Sequence, residues 1–258
     1  MKNKIALITG ASSGIGYATA QALAKMGYDL VVVARRAERL EALVEALKSD
    51  NATKDTVVYT ATLDVRSLKA VKAFYQALPE DWKNIDVLVN NAGLAKGLSK
   101  IYEGDTDHWD QMIDTNVKGL LYVSRTVVPN MIKRGIGHVI NIGSIAGKEV
   151  YDNGNVYCGT KFAVDAITKS MRLELAVHGV KVTGIHPGAV ETEFSIVRFD
   201  GDVDRAKNVY KGYENLVADD IAEAIAFVVS RKPHVNINDL VIMPQAQAVA
   251  GVIIRKES

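Results

Sequence analysis

Seven short apolar runs, each followed by a segment of helical periodicity, constrain this chain more than any other feature. The runs are IALIT (5–9), LVVVA (30–34), TVVYT (56–60), IDVLVN (85–90), HVINIG (138–143), KVTGI (181–185) and DLVIM (239–243). Segments such as AERLEALVEALK (37–48) lie between them. That alternation predicts an α/β fold, a mostly parallel seven-stranded sheet covered by helices on both faces. At 258 residues and 48% apolar content, one doubly wound domain over 1–258 has enough core.

The first run enters Gly10, Ala11, Ser12, Ser13, Gly14, Ile15 and Gly16, and then a helical pattern. Strand, glycine turn and helix form a phosphate cradle, because backbone N–H groups and the positive helix end face an anion. The spacing is G-x-x-x-G-x-G, which differs from the G-x-G-x-x-G fingerprint, so position in the chain carries the inference.

A second set can move a proton. Ser144 closes the fifth run, and Tyr157 and Lys161 lie four apart on the next helical segment, hence on one face about 6 Å apart. Such an ammonium favours phenolate, making Tyr157 the general acid/base, Lys161 its electrostatic tuner and Ser144 the hydroxyl that holds the reacting oxygen. Bringing a phenol to neutrality takes roughly 3 units, about 4 kcal/mol, which a cationic cofactor ring would help to supply. The plain alternative is a half-buried aromatic beside a snorkelling amine.

Cofactor choice is legible at the end of the second run, where an acidic residue would bind a ribose 2′-hydroxyl. The chain has Ala34, Arg35 and Arg36 instead, and two guanidinium groups suit a 2′-phosphate. NADP is therefore expected over NAD. Otherwise the arginines merely solvate a helix start, although cations are disfavoured there.

Taken together, TGASSGIG (9–16), NNAG (90–93), Asn116, Ser144, YCGTK (157–161) and PG (187–188) resemble the short-chain dehydrogenase/reductase family along essentially the whole chain. The resemblance implies a Rossmann-type fold and a tetrad in which Asn116, through its side chain and a local helix distortion, supports a water-linked proton path to Lys161. It implies an adenine-side contact at Asp64 and Val65, a ribose floor at Asn91, Ala92 and Gly93, and a nicotinamide-side loop at Pro187, Gly188, Val190 and Thr192. Asp64 could instead cap a helix before Ser67, Asn90 could be a strand-end hydrogen-bonder, and Asn116 a helix-surface polar residue. MIDTN (112–116), NIGS (141–144), GNVYCGTK (154–161), TEFSIVRF (192–199) and HVNIND (234–239) are similar to the NADP-dependent 3-hydroxy acid dehydrogenases. That likeness implies oxidation of serine, L-allo-threonine and 3-hydroxypropionate-type acids. A broad carbonyl or 3-oxoacyl reductase, and a non-catalytic NADP-binding regulator, are the alternatives. It also implies a homotetramer in which helices around 108–133 and 157–177 pair. Apolar Val117, Leu120, Leu121, Val123, Val127 and Val128 exceed one buried stripe, as burial on two sides or deep in one subunit would require.

Gly10, Arg35, Asp64, Asn90, Ser144, Pro187 and Met243 each lie at or just beyond the C-terminal end of a run, the edge where open parallel sheets bind ligands. The segment from Glu191 to about Tyr213 interrupts the alternation and is the expected substrate lid. Within it, Arg198 is the candidate to grip a substrate carboxylate, unless Glu193, Asp200 or Asp202 pairs with it to order the lid.

Other classes are disfavoured. Thirty-one basic against thirty acidic residues leave a charge near +1, with no global field for nucleic acid or an anionic membrane. Five histidines without ligand spacing give no metal site, and the single cysteine, Cys158, permits no intrachain disulfide. As Tyr157's helical neighbour it points about 100° away, so a small buried thiol is the simpler reading. The opening MKNKIALITG is no secretory leader and no run reaches the ~18 residues of a membrane span, so a cytoplasmic protein is expected. The apolar tail AVAGVII (248–254) is a packed end or a subunit contact.

Overall fold

The computed structural model describes residues 3–255. Its main sheet has the order β3-β2-β1-β4-β5-β6-β7, and every pairing is parallel. The strands are β1 (Ile5–Thr9), β2 (Asp29–Ala34), β3 (Val58–Thr62), β4 (Ile85–Asn90), β5 (Gly137–Ile142), β6 (Val180–Pro187) and β7 (Asp239–Ile242). Helices α1 (Gly14–Lys25), α2 (Ala37–Ser49), α3 (Leu68–Ala77), α4 (Thr106–Ile113), α5 (Leu120–Arg134), α6 (Asn155–Ala176), α7 (Phe194–Arg198), α8 (Val203–Val209) and α9 (Ala218–Val229) connect them.

Strand side chains alternate between two apolar cores. Ala6, Ile8, Leu30 and Val32 pack into one with Leu23 of α1, Leu40 of α2 and Ile225 of α9. Ile5, Leu7, Val31 and Val33 pack into the other with Val71 of α3, Val127 of α5 and Leu175 of α6. The period of two therefore explains why the central runs are apolar throughout. Strand order reverses between β1 and β4, and the crevice at that reversal is where such sheets hold ligands.

The third run is shifted. β3 starts two residues beyond Thr56, since Thr56 closes a turn onto Thr53 and pairing with β2 begins at Leu30 and Val58. As an edge strand it alternates polar and apolar positions, which blurs its bounds in the sequence. The tail forms a separate antiparallel hairpin, β8 (Gln247–Val249) and β9 (Val252–Ile253).

Candidate active site

The glycine turn after β1 is held open by two side chains. Thr9 Oγ1 accepts from the backbone of Asn91 and Ala92 at 3.0 and 2.9 Å, and Asn91 Nδ2 donates to Thr9 O and Gly10 O at 2.9 and 3.2 Å. Gly10 and Gly14 have φ of 68° and 53°, the left-handed region that glycine enters without strain. A Cβ on Gly16 would lie 2.4 Å from both Asn91 Nδ2 and Gly10 O, so close packing requires glycine there too. Ser13 precedes α1 without capping it by its side chain, leaving the first N–H groups of the helix facing the cleft. A turn of this shape, with free N–H groups at a helix start, suits an anion such as a pyrophosphate.

The cleft over the sheet edge encloses about 350 Å³. Gly10, Ser12, Ser13, Gly14 and Ile15 line one end, beside Arg35 and Arg36. Asp64 and Val65, then Asn91, Ala92 and Gly93, form its middle. Ser144, Tyr157 and Lys161 stand at the other end with Pro187, Gly188, Val190 and Thr192. Gly16, expected as a cofactor contact, and Asn116, expected in the tetrad, are buried and do not line the cleft.

Arg36 is engaged within the protein. It donates to Glu193 at 3.0 Å, to Ser13 at 2.9 Å and to Ser12 at 3.3 Å, while Arg39 reaches the same carboxylate at 3.2 Å. Asp64 does not cap the next helix, which Ser67 caps. Its carboxyl is instead gripped by Arg66 and held below the usual range. Asn90 is the strand-end hydrogen-bonder, donating to Ser124 and Asn141.

Asn116 sits in a π-helical segment, Asp114–Gly119, between α4 and α5. Its side chain accepts from Leu94 N and donates to Leu94 O, both at 2.8 Å, and donates to Thr160 Oγ1 at 3.0 Å. A surface role is excluded. Its Oδ1 and the Lys161 Nζ converge on the open face of Gly93, 3.3 and 3.7 Å from where a Cβ would stand.

The proton-transfer set stands together at the end of the cleft. Lys161 Nζ donates to Ile142 O at 2.9 Å and lies 5.9 Å from the Tyr157 ring centre. Burial lowers this ammonium to about 8 and pushes the Tyr157 phenol well above its ordinary value. Against that burial, the Arg198 charge and then the Ser144 hydroxyl favour the ionised phenol, while Tyr151 and Cys158 oppose it. Spacing along a helix could not reveal that the lysine is turned toward β5.

Arg198 comes from α7 of the expected lid. Its Nη2 donates to Tyr151 Oη at 3.0 Å, and its guanidinium carbon lies 5.0 Å from the Tyr157 ring centre and 5.1 Å from Phe194. Its three anticipated partners are engaged elsewhere: Glu193 with Arg36 and Arg39, Asp200 with Lys96, and Asp202 as the cap of α8. The lid is folded, with α7 and α8 inside it and its ends pinched by a bridge between Val190 and Leu216. Tyr151, Phe194 and Arg39 were not anticipated, and Glu193 was expected only as a partner of Arg198. Phe194 had only its place in the lid and Arg39 only its charge as sequence signals, and Tyr151 had none.

Cys158 is a buried free thiol pushed up by burial. Asp165, His186 and Asp239 have the spacing of a metal site, which five scattered histidines did not suggest. Lys148 lies 2.6 Å from Asp165, Lys169 2.7 Å from its other oxygen, and Arg172 3.6 Å from Asp239. Ammonium and guanidinium groups thus already balance both carboxylates.

Comparison with known proteins agrees with this geometry. Residues 4–202 match the family model for short chain dehydrogenase. The chain is 43% identical to the NADP-dependent 3-hydroxy acid dehydrogenase YdfG of Salmonella typhi, over 98% of this chain and 99% of that one. It is 41% identical to the NADP-dependent 3-hydroxy acid dehydrogenase of Schizosaccharomyces pombe, over 100% of this chain and 99% of the relative. Among solved structures, the closed form of serine dehydrogenase complexed with NADP+ superposes with a TM-score of 0.88 at 41% identity, covering 98% of this chain and 100% of that one.

Proposed function

The chain belongs to the short-chain dehydrogenase family, and on that premise we propose that it is an NADP-dependent dehydrogenase of small 3-hydroxy acids such as serine, L-allo-threonine and 3-hydroxypropionate. One observation carries the reading: a single cleft has Arg35 and Arg36 at one end and Ser144, Tyr157 and Lys161 at the other. NADP, when bound, supplies the hydride acceptor. The glycine cradle from Gly10 to Ile15 holds its pyrophosphate, Arg35 and Arg36 its 2′-phosphate, and Pro187 to Thr192 its nicotinamide side.

Tyr157 takes the proton of the substrate hydroxyl, Ser144 holds that oxygen, and Lys161 passes the proton on along a water-linked path that Asn116 supports. Arg198 meets the substrate carboxylate, for which its unpartnered buried Nε is suited. A general carbonyl or oxoacyl reductase shares every feature except this cation.

We take the chain as one cytoplasmic, small-molecule enzyme domain, and as a homotetramer. In favour of assembly, Leu121, Phe162, Leu173 and Val177 on α5, α6 and the end of α6 are exposed. No helix among the described residues is long and apolar enough to cross a membrane.

The test is turnover of L-serine, L-allo-threonine, 3-hydroxypropionate and neutral ketones with both cofactors, repeated with Tyr157→Phe. The acids should be preferred, and the variant should lose about 10²- to 10⁴-fold in kcat while still binding NADPH. An undiminished rate in Tyr157→Phe sinks the assignment.

A further inference from the structure

We propose that Arg198, beyond any contact with substrate, is a positioning residue for proton transfer: seated over the Tyr157 ring, its guanidinium is a charge that favours the phenolate in addition to the Lys161 ammonium. The inference rests on Tyr157 being the acid/base.

The geometry is built rather than incidental. The guanidinium carbon stands 5.0 Å from the Tyr157 ring centre, 5.1 Å from Phe194 and 6.0 Å from Tyr151, whose hydroxyl accepts its Nη2 proton at 3.0 Å. Phe194 in turn meets Tyr157 edge-on at 5.7 Å. Three aromatic rings therefore fix one cation against the reacting phenol, and desolvation strengthens such contacts. The main chain is anchored as well: Arg198 O accepts from Gly97 N at 2.9 Å, and the neighbouring Asp200 pairs with Lys96. The cation reaches Tyr157 only while the lid is packed on the loop after β4.

The charged and titratable groups around Tyr157 are few. Lys161 and Cys158 share its helix, Tyr151 precedes that helix, and Arg198 comes from the lid. Across a small adjoining cavity stand Lys96, Asp105 and His108, with Asp200 pairing Lys96 and lying 3.7 Å from His108. On the phenol's own helix, Lys161 stands 5.9 Å from the ring centre and donates to Ile142 O. Burial brings that ammonium to about 8, so it begins to discharge in mildly alkaline solution. A guanidinium keeps its proton throughout that range. Arg198 thus supplies a permanent charge where Lys161 supplies a titrating one. Coupling to the lid follows, because a base armed by a lid residue works at full strength only after closure.

The experiment is the pH profile of kcat/KM for Arg198→Met and Arg198→Lys, using the best acid substrate and its uncharged methyl ester. Arg198→Met should move the acidic limb upward by about one unit for both substrates. That appears as a roughly tenfold loss below the limb that disappears on the alkaline plateau. Arg198→Lys should restore most of the shift. Phenolate absorbance of the NADP+ complex, read as the difference from Tyr157→Phe, should move in parallel, and unchanged NADPH binding would exclude misfolding. An unmoved limb, with losses confined to the acid at every pH, would leave Arg198 a substrate clamp and overturn the inference. Full activity in Tyr157→Phe would instead remove the parent reading, a separate result.

Discussion

The Glu193 carboxylate accepts a hydrogen bond from Arg36 at 3.0 Å, which ties the first turn of the lid to the cation read as a 2′-phosphate ligand. Arg39 reaches the same carboxylate at 3.2 Å. All three side chains are substantially exposed, so the pair contributes little to folding stability. Its consequence is for binding. A carboxylate beside the guanidinium opposes an incoming phosphate, and Glu193→Gln should therefore tighten NADPH several-fold while leaving NADH nearly unchanged. Fluorescence titration with both cofactors measures this. Equal effects on the two would separate Glu193 from the phosphate site.

Arg36 should decide cofactor choice, because it is pre-oriented by Ser12, Ser13 and Glu193. Hydrogen bonds between charged groups contribute about 2 kcal/mol. Arg36→Met should then lower the NADP-to-NAD ratio of kcat/KM by about 30-fold. Steady-state kinetics with each cofactor checks it, and an unchanged ratio would shift the role to Arg35.

Gly16→Ala tests the cradle. The new methyl would overlap Gly10 O and Asn91 Nδ2, both 2.4 Å from its position, and one of these is backbone. The turn must open, so NADPH affinity should fall by at least tenfold. Isothermal titration gives the number. Gly159→Ala, on an open face of α6, is the matched control and should bind normally.

What could be read in the sequence depended on whether a property is local. Seven apolar runs marked the strands because central strands are buried on both faces, and Gly10 marked its turn because a β-carbon cannot follow the chain there. The edge strand β3 was misplaced by two residues because one of its faces is exposed. In the site, Ser144, Tyr157 and Lys161 were identified as a group, yet their electrostatics were not. The Lys161 direction depends on Ile142 O, and the Arg198 position depends on Tyr151, 47 residues away. Glu193 likewise acquires meaning only opposite Arg36, 157 residues distant. Long-range pairings of this kind leave no periodic trace.

A last prediction concerns stability rather than catalysis. His138 on β5 is buried, its Nε2 lies 2.8 Å from Thr183 Oγ1, and that hydroxyl donates to Ile237 O. The hydroxyl therefore accepts from an Nε2–H, and the buried Nδ1 has no partner for a second proton. Burial, with the Lys181 charge adding to it, depresses the imidazole to about 3. The unfolded chain takes up that proton near the ordinary value of 6.5, whereas the folded chain refuses it until about 3. Protonation thus favours unfolding, and stability falls as the pH drops through this window. The loss from His138 alone should be about 2 kcal/mol between roughly pH 7.5 and pH 5. His138→Gln, which keeps a donor for Thr183 but does not titrate, should lose that much less over the same interval. His186, also depressed by burial, adds the same background slope to both proteins. Urea midpoints at the two pH values decide the matter, and parallel losses in wild type and variant would show that His138 does not sense pH.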